Sequence, residues 1–446
     1  MLLVGIACAL LALIAQVLLV REAPLPLRTP LVVFATLYIL TTAIGATILA
    51  VPLIRDLWTA TYPTMDSKWI SPGDSWGYWF IVWGPLPVCG AAALWFYPRV
   101  RRTVTSAQRL FARRVDILAA SIVGTALTAY CFLNLGMRGY LGVSLLNSEL
   151  IGRYKENISL RTEMFGSLGA LHFAAIYMGI PAVAIVAFCS AVRTGLLRWW
   201  LLFGLLSFAL ALLYLATLTK SNMLIYGIEV VVAAQILGLI RLRGLLIAVV
   251  GGVAVLTVLS ALLAGGLDVA VSGYNIIFRE ASDVPFYLAV FPSQLPFVGI
   301  DVGLGAFGIG PSVPSNEMVA NFMYPHETWV QGAAPAAAPV MAYAQAGYPW
   351  AFVTMLLMGL WFALAGQMRR WVGNPVAFSA FIGATTTCYY LSQADLVGAL
   401  NTAYGFKWWA AALLLLIGTQ RVLELALRGP ELQGDGSVNQ HENLIS

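Results

Sequence analysis

The chain is dominated by apolar runs of about 20 residues, the length that carries an α-helix across a hydrocarbon core, and short arginine-bearing turns separate many of them. This alternation restricts the fold sharply. Backbone N–H and C=O groups find no water inside a bilayer, so each run must satisfy its own hydrogen bonds, and a helix does so within one segment. Composition agrees: 60% of the residues are hydrophobic and 10% charged, against about 45–50% apolar and 25% charged in soluble domains. The expected class is an all-α polytopic membrane protein.

Taken in order, the runs predict about eleven spans, at 1–20, 31–51, 78–97, 116–135, 168–192, 199–218, 222–240, 245–264, 350–368, 377–392 and 402–420. The first run has no basic segment ahead of it and reads as a spanning helix, not a cleaved signal. Orientation follows from 98–114, which carries Arg99, Arg101, Arg102, Arg109, Arg113 and Arg114 without an acid, and so belongs in the cytoplasm. The turns with Arg193 and Arg198, Arg241 and Arg243, Arg369 and Arg370, and Arg421 and Arg428 then fall on that same side. The amino terminus is expected outside and the carboxyl terminus inside. One transmembrane domain is expected over 1–428, followed by a polar cytoplasmic tail at 429–446.

The interval 266–349 stands apart, with Arg279, His326 and much of the proline of the chain. Loops longer than about 12–15 residues are uncommon unless functional or disordered, and the aromatic content here argues against disorder. A folded lid on the outer face is expected. Nine of the 25 Lys and Arg residues lie on that face against the topological bias: Arg55, Lys68, Arg138, Arg153, Lys155, Arg161, Lys220, Arg279 and Lys407. In the outer loop 136–166 the basic residues alternate with Glu149, Glu156 and Glu163, which reads equally as a solvated loop with local ion pairs. Lys220 occupies a tight turn between two strong runs, where a cation either faces a polar cavity or snorkels to headgroups. Arg279 either serves a ligand or pairs with Glu280 or Asp283. His326, in the segment YPHETW, has the proton affinity of a general base, with an ordinary pKa of about 6.5.

Several chemistries are set aside. The net charge of +5 comes mostly from residues placed by topology, so no nucleic-acid partner is implied. Cys8, Cys89, Cys131, Cys189 and Cys388 lie in apolar runs without CxxC or Cys/His spacing, and neither a disulfide framework nor a metal site follows. Gly303-Leu304-Gly305-Ala306-Phe307-Gly308 matches GxGxxG but has no βαβ surroundings. HExxH and P-loop patterns do not occur.

In layout the chain resembles the bacterial oligosaccharide repeat-unit polymerases of the O-antigen polymerase and ligase superfamily. The resemblance rests on the number of spans, the outer hairpin Lys220-Ser221-Asn222, the loop around Arg153, and one large outer loop. That loop opens near Arg279, passes a glycine-rich turn and His326, and re-enters through MAYAQAGYPWAF with Tyr343, Gly347 and Trp350. No acid stands at 344–346, where some relatives carry one. The resemblance implies a GT-C-like fold and polymerisation of polyprenyl-pyrophosphate-linked oligosaccharide units at the outer face of a bacterial inner membrane, without metal or cofactor. It implies that Arg153, Lys220 and Arg279 bind the pyrophosphate, since Arg gives bidentate contacts and Lys a point charge. His326 and Arg279 would be catalytic, with Arg161 and Tyr343 positioning substrate. Membrane lipids, a chain-length regulator and a flippase are the implied partners. A related ligase, a transporter or flippase of a lipid-linked glycan, and an extracytoplasmic acyltransferase with His326 as base remain as alternatives.

Overall fold

The structure is a computed structural model that describes residues 2–51, 76–100, 114–140, 160, 163–164, 166–217, 220–241, 251, 279–300, 315–323, 336–369, 373–402 and 405–427. Among the described residues the regular elements are helices, with no strand. Seven described helices are long and apolar enough to cross a membrane, or eight if one bent pair is a single span. In chain order the elements begin with α1 (Leu2–Glu22), then α2 (Leu25–Tyr38), which passes through a π turn (Ile39–Ala43) into α3 (Ile44–Leu49). Next come α4 (Trp76–Trp83), α5 (Pro85–Val100), α6 (Arg114–Met137) and α7 (Ala170–Ala174), the last entering α8 (Ile180–Thr194) through a second π turn (Ala175–Gly179). The series continues with α9 (Leu197–Ala216), α10 (Lys220–Ile236), α11 (Arg279–Val290) and α12 (Ser315–Met323). It ends with α13 (Ala338–Met368), α14 (Pro375–Tyr390), α15 (Leu396–Asn401) and α16 (Phe406–Leu427).

The runs at 1–20, 116–135, 168–192 and 199–218 coincide with helices to within a few residues. The run at 31–51 begins earlier, at Leu25, because Pro26 is accommodated in the first turn of α2, where a missing N–H is not needed. The run at 78–97 is not straight: α4 and α5 meet at a bend of 52°. Pro85 offers no N–H to the carbonyl of Ile81. The Tyr38 hydroxyl takes that role, 3.1 Å from the Ile81 carbonyl and 2.9 Å from that of Val82. The run at 245–264, apart from residue 251, and the tail at 429–446 lie outside the described residues.

The interval 266–349 differs from the expected loop. It contains α11 and α12, and α13 starts inside it at Ala338, not at 350. Within α13 the helix breaks at Ala346 (φ −155°) and Gly347 (φ +76°), and only glycine enters the second of these conformations at little cost. The break exposes carbonyls, which are taken up at once: Val298 N–H donates to Ala344 O at 3.0 Å and Gly299 N–H to Gln345 O at 2.9 Å.

Two groups of helices make the bundle, and α14 joins them. In the first, α13 lies along α5 with α1 and α2 beside them. A Cβ on Gly359 would stand 2.5 Å from the Ala92 Cβ and 2.7 Å from the Cys89 carbonyl, so the close approach of α13 and α5 requires this glycine. In the second, α6, α9 and α16 surround α8. The most apolar window of Ala170–Thr194 is 94% buried, as a helix hydrophobic on every side should be. Outward-facing positions on the rim are apolar too, for example Leu205, Phe208, Leu414 and Leu425, a surface suited to lipid and not to water.

The helices run so that Arg138 and Arg279 lie at one end and most of the described arginines gather at the other. There the Arg369 guanidinium donates to Leu25 O at 2.7 Å and Thr29 Oγ1 at 3.1 Å, and Arg193 donates to Gly373 O. Arg28 reaches Ala23 O at 2.8 Å and Arg21 O at 2.9 Å. These cations serve backbone carbonyls around helix ends and so hold the bundle ends together. The opposite end, where α9 stops, α10 starts and α13 meets α14, carries the tyrosines and carboxyl groups described next.

Candidate functional site

Lys220 and Arg279 are the first residues of α10 and α11, both at the end opposite the arginines; their side chains lie outside the described residues. Arg153, Arg161 and His326 lie wholly outside them, as does the glycine-rich turn at 303–308. The two helices that begin with Lys220 and Arg279 pack on different neighbours: α10 on α8, α9 and α14, and α11 on α3, α12 and α13. Tyr343 is described. Only 5% exposed, it donates its hydroxyl hydrogen to Phe291 O at 2.9 Å. Its ring lies against Tyr348 and Phe297, with centroids 4.7 and 5.8 Å away. In this position it fastens the segment after α11 to the upstream half of α13.

Beside that junction α11 and α12 close over the bundle. The Tyr287 hydroxyl bonds the Ser315 side chain, with Asp283 and Asp395 close by. Burial pushes the Tyr287 phenol well above its ordinary range, and the Asp283 charge adds to the effect. Asp395 caps α15 by accepting the Gly398 N–H, and burial raises its carboxyl pKa. On the same side the Lys407 ammonium donates to Asn401 Oδ1 at 2.6 Å. These contacts join α11, α12, α15 and the start of α16 into a polar cap.

A second polar cluster lies deeper. Glu229 on α10 is 3% exposed and lines a cavity of about 20 Å³ between α2, α10 and α14. One carboxyl oxygen meets the Thr386 hydroxyl, while Oε2 has no hydrogen-bond partner among the described residues. Tyr214, Tyr226 and Tyr390 are near enough to interact with it electrostatically. Tyr226 is held by Ser207 at 2.6 Å, and Tyr214 donates to Ile176 O at 3.2 Å. Nearby, Asn134 Nδ2 donates to Leu168 O at 3.1 Å and contacts His172 Nδ1 at 3.3 Å. The amide orientation makes His172 Nδ1 the acceptor and puts the ring proton on Nε2, which has no partner among the described residues.

Sequence reasoning passed over Glu229, although the signal was present: it is the lone acid in the run 222–240, and an ionisable residue inside an apolar span points to function. The sequence also contains Gly73-Asp74-Ser75-Trp76-Gly77, the GxSxG spacing of a nucleophile elbow. Such an elbow needs a strand before its helix; Gly73–Ser75 and the residues before them back to 52 lie outside the described residues. Nor do the described residues bring together three His, Cys, Asp or Glu side chains able to hold a metal ion. Compared with protein-family models, curated proteins and solved structures, the chain matches none.

Proposed function

We propose that the chain is a glycosyltransferase that polymerises polyprenyl-pyrophosphate-linked oligosaccharide units at the outer face of a bacterial inner membrane. It crosses the membrane about eleven times, with 245–264 counted as a span and the arginine end in the cytoplasm. The observation that carries this reading is the polar cap at one end of a bundle with an apolar rim, with a cation opening each of α10 and α11 at the capped end. Helix N-termini and adjacent cations both favour anions, and a lipid-linked pyrophosphate is an anion anchored at membrane depth.

In this reaction an acceptor sugar hydroxyl attacks the anomeric carbon of the donor. The bond from that carbon to the pyrophosphate oxygen breaks, and its electron pair departs with the polyprenyl pyrophosphate. Arg153, Lys220 and Arg279 balance the leaving charge, a stabilisation by fixed cations, and His326 accepts the hydroxyl proton. Arg279 thus both binds and activates, Arg161 positions the sugar, and Tyr343 acts on that positioning indirectly, by fastening the segment after α11. A chain-length regulator and a flippase are the expected partners.

The test is synthetic polyprenyl-pyrophosphate oligosaccharide given to the protein in lipid vesicles, with Lys220→Ala, Arg279→Ala and His326→Ala variants that still insert. Each substitution is expected to lower polymer formation by about 100-fold or more, the scale for loss of a catalytic electrostatic or proton-transfer group. Undiminished polymer in all three refutes the site assignment. A second reading, a carrier of the same lipid-linked glycan, is favoured by Glu229, because ionisable residues inside spans mark ion pathways. Binding of the glycan without turnover, together with its movement across the vesicle, selects the carrier; a single transfer without extension selects a ligase.

A further inference from the structure

Glu229 sits in surroundings that do not tolerate a bare negative charge. Its neighbours on α10 are Ile228 and Val230. The cavity beside it is walled by Val33 and Leu37 of α2 and by Ile382, Thr385, Thr386 and Tyr389 of α14. The phenols that interact with the carboxyl come from α9 (Tyr214), α10 (Tyr226) and α14 (Tyr390), and Tyr177 of the second π turn interacts with Tyr214 and Tyr390. None of these groups carries a positive charge. An ionised carboxylate stripped of water and given no cation is strongly disfavoured, and with no cation facing Glu229 among the described residues the site calls for a positive occupant.

The size of the cavity and the hydrogen bonding around it bear on which occupant it is. The Thr386 hydroxyl donates to Ile382 O at 3.1 Å, and that of Thr385 to Phe381 O at 2.9 Å. A hydroxyl has one hydrogen to give. That hydrogen serves either Ile382 O or Glu229, so Thr386 cannot satisfy both acceptors at once. The cavity of about 20 Å³ exceeds the roughly 10–15 Å³ that one water needs, and the unpartnered Oε2 supplies an acceptor for it.

We propose that Glu229 is a proton-binding site inside the helix bundle, one carboxyl oxygen against Thr386 and the second hydrated by a single water in the cavity between α2, α10 and α14. The site stands independently of the glycosyl-transfer reading. It is tested by infrared spectroscopy of the full chain in lipid, with glutamate carboxyl carbons labelled with carbon-13, which separates Glu229 from Asp283 and Asp395. At neutral pH the expected result is an isotope-shifted protonated-carboxyl C=O band that is lost in Glu229→Gln and unchanged when potassium is replaced by sodium. Glu229→Asp, which moves the acid out of the labelled set, must remove the band as well and serves if the Gln variant does not accumulate. Three results overturn the proposal: no such band in the unsubstituted chain, a band that survives both substitutions, or a band abolished by sodium, which makes the occupant an alkali cation.

Discussion

At the residue scale, Tyr38 illustrates how a membrane bundle handles a proline. The hydroxyl is fully buried and its single hydrogen is shared between the carbonyls of Ile81 and Val82, one of which Pro85 leaves without a helical partner. Tyr38→Phe removes the donor and keeps the ring. Leaving buried carbonyls unsatisfied costs about 1–3 kcal/mol, so the variant is expected to unfold at lower denaturant in detergent, measured by circular dichroism, with activity retained by the folded fraction. Pro85 is plain in the sequence, but its compensating hydroxyl is more than forty positions away along the chain, and no local pattern connects the two. Tyr343 teaches the converse. The resemblance of the re-entry segment marked it for substrate positioning, and in the structure its hydroxyl is engaged with Phe291 O, a contact that depends on where the segment after α11 folds back.

At the element scale, the junction of α5 and α13 and the break in α13 are the points most sensitive to small changes. A methyl group at Gly359 meets backbone and side chain of α5 at 2.5–2.9 Å, and two packed helices cannot separate at one point without losing contacts on either side. Gly359→Ala is expected to destabilise the bundle by about 1–3 kcal/mol, the usual cost of overpacking, read as a lower midpoint in thermal unfolding. Gly347→Ala acts differently. Its φ of +76° and the Phe297 ring at 3.3 Å from an added Cβ strain the break itself. The expected outcome is faster proteolysis between α11 and α13 with the rest of the bundle intact; an unchanged cleavage pattern refutes the role given to the break. Glycine-rich membrane helices are common, and spacing alone did not mark these two positions as the constrained ones.

At the scale of the whole molecule, the two ends differ in chemistry. Arginines that cap helix ends gather at one, and tyrosines, carboxyl groups and the cap formed by α11 and α12 at the other. Membrane sidedness is predicted from this difference. Single cysteines introduced as Leu196→Cys at the arginine end and Ser293→Cys near the cap should react oppositely with an impermeant maleimide. In intact spheroplasts Ser293→Cys is labelled, and Leu196→Cys reacts only after permeabilisation. Labelling of both from the same side overturns the assigned orientation. The native cysteines are buried or half-buried, which keeps the background low.

The apolar runs by themselves determined that this is a helical, membrane-embedded chain, where most of its helices lie, and which turns are rich in arginine. These follow from hydropathy and from hydrogen bonds closed within four residues of sequence, both of which are local quantities. Tertiary structure alone decided that 266–349 contributes packed helices, that α13 starts inside it and breaks at Gly347, and that the freed carbonyls are taken up by residues 298 and 299. It also decided that the lone acid of 222–240 would be enclosed by α2 and α14. The environment of a polar group in lipid is set by the helices that happen to lie beside it, and that adjacency is a property of the assembled bundle.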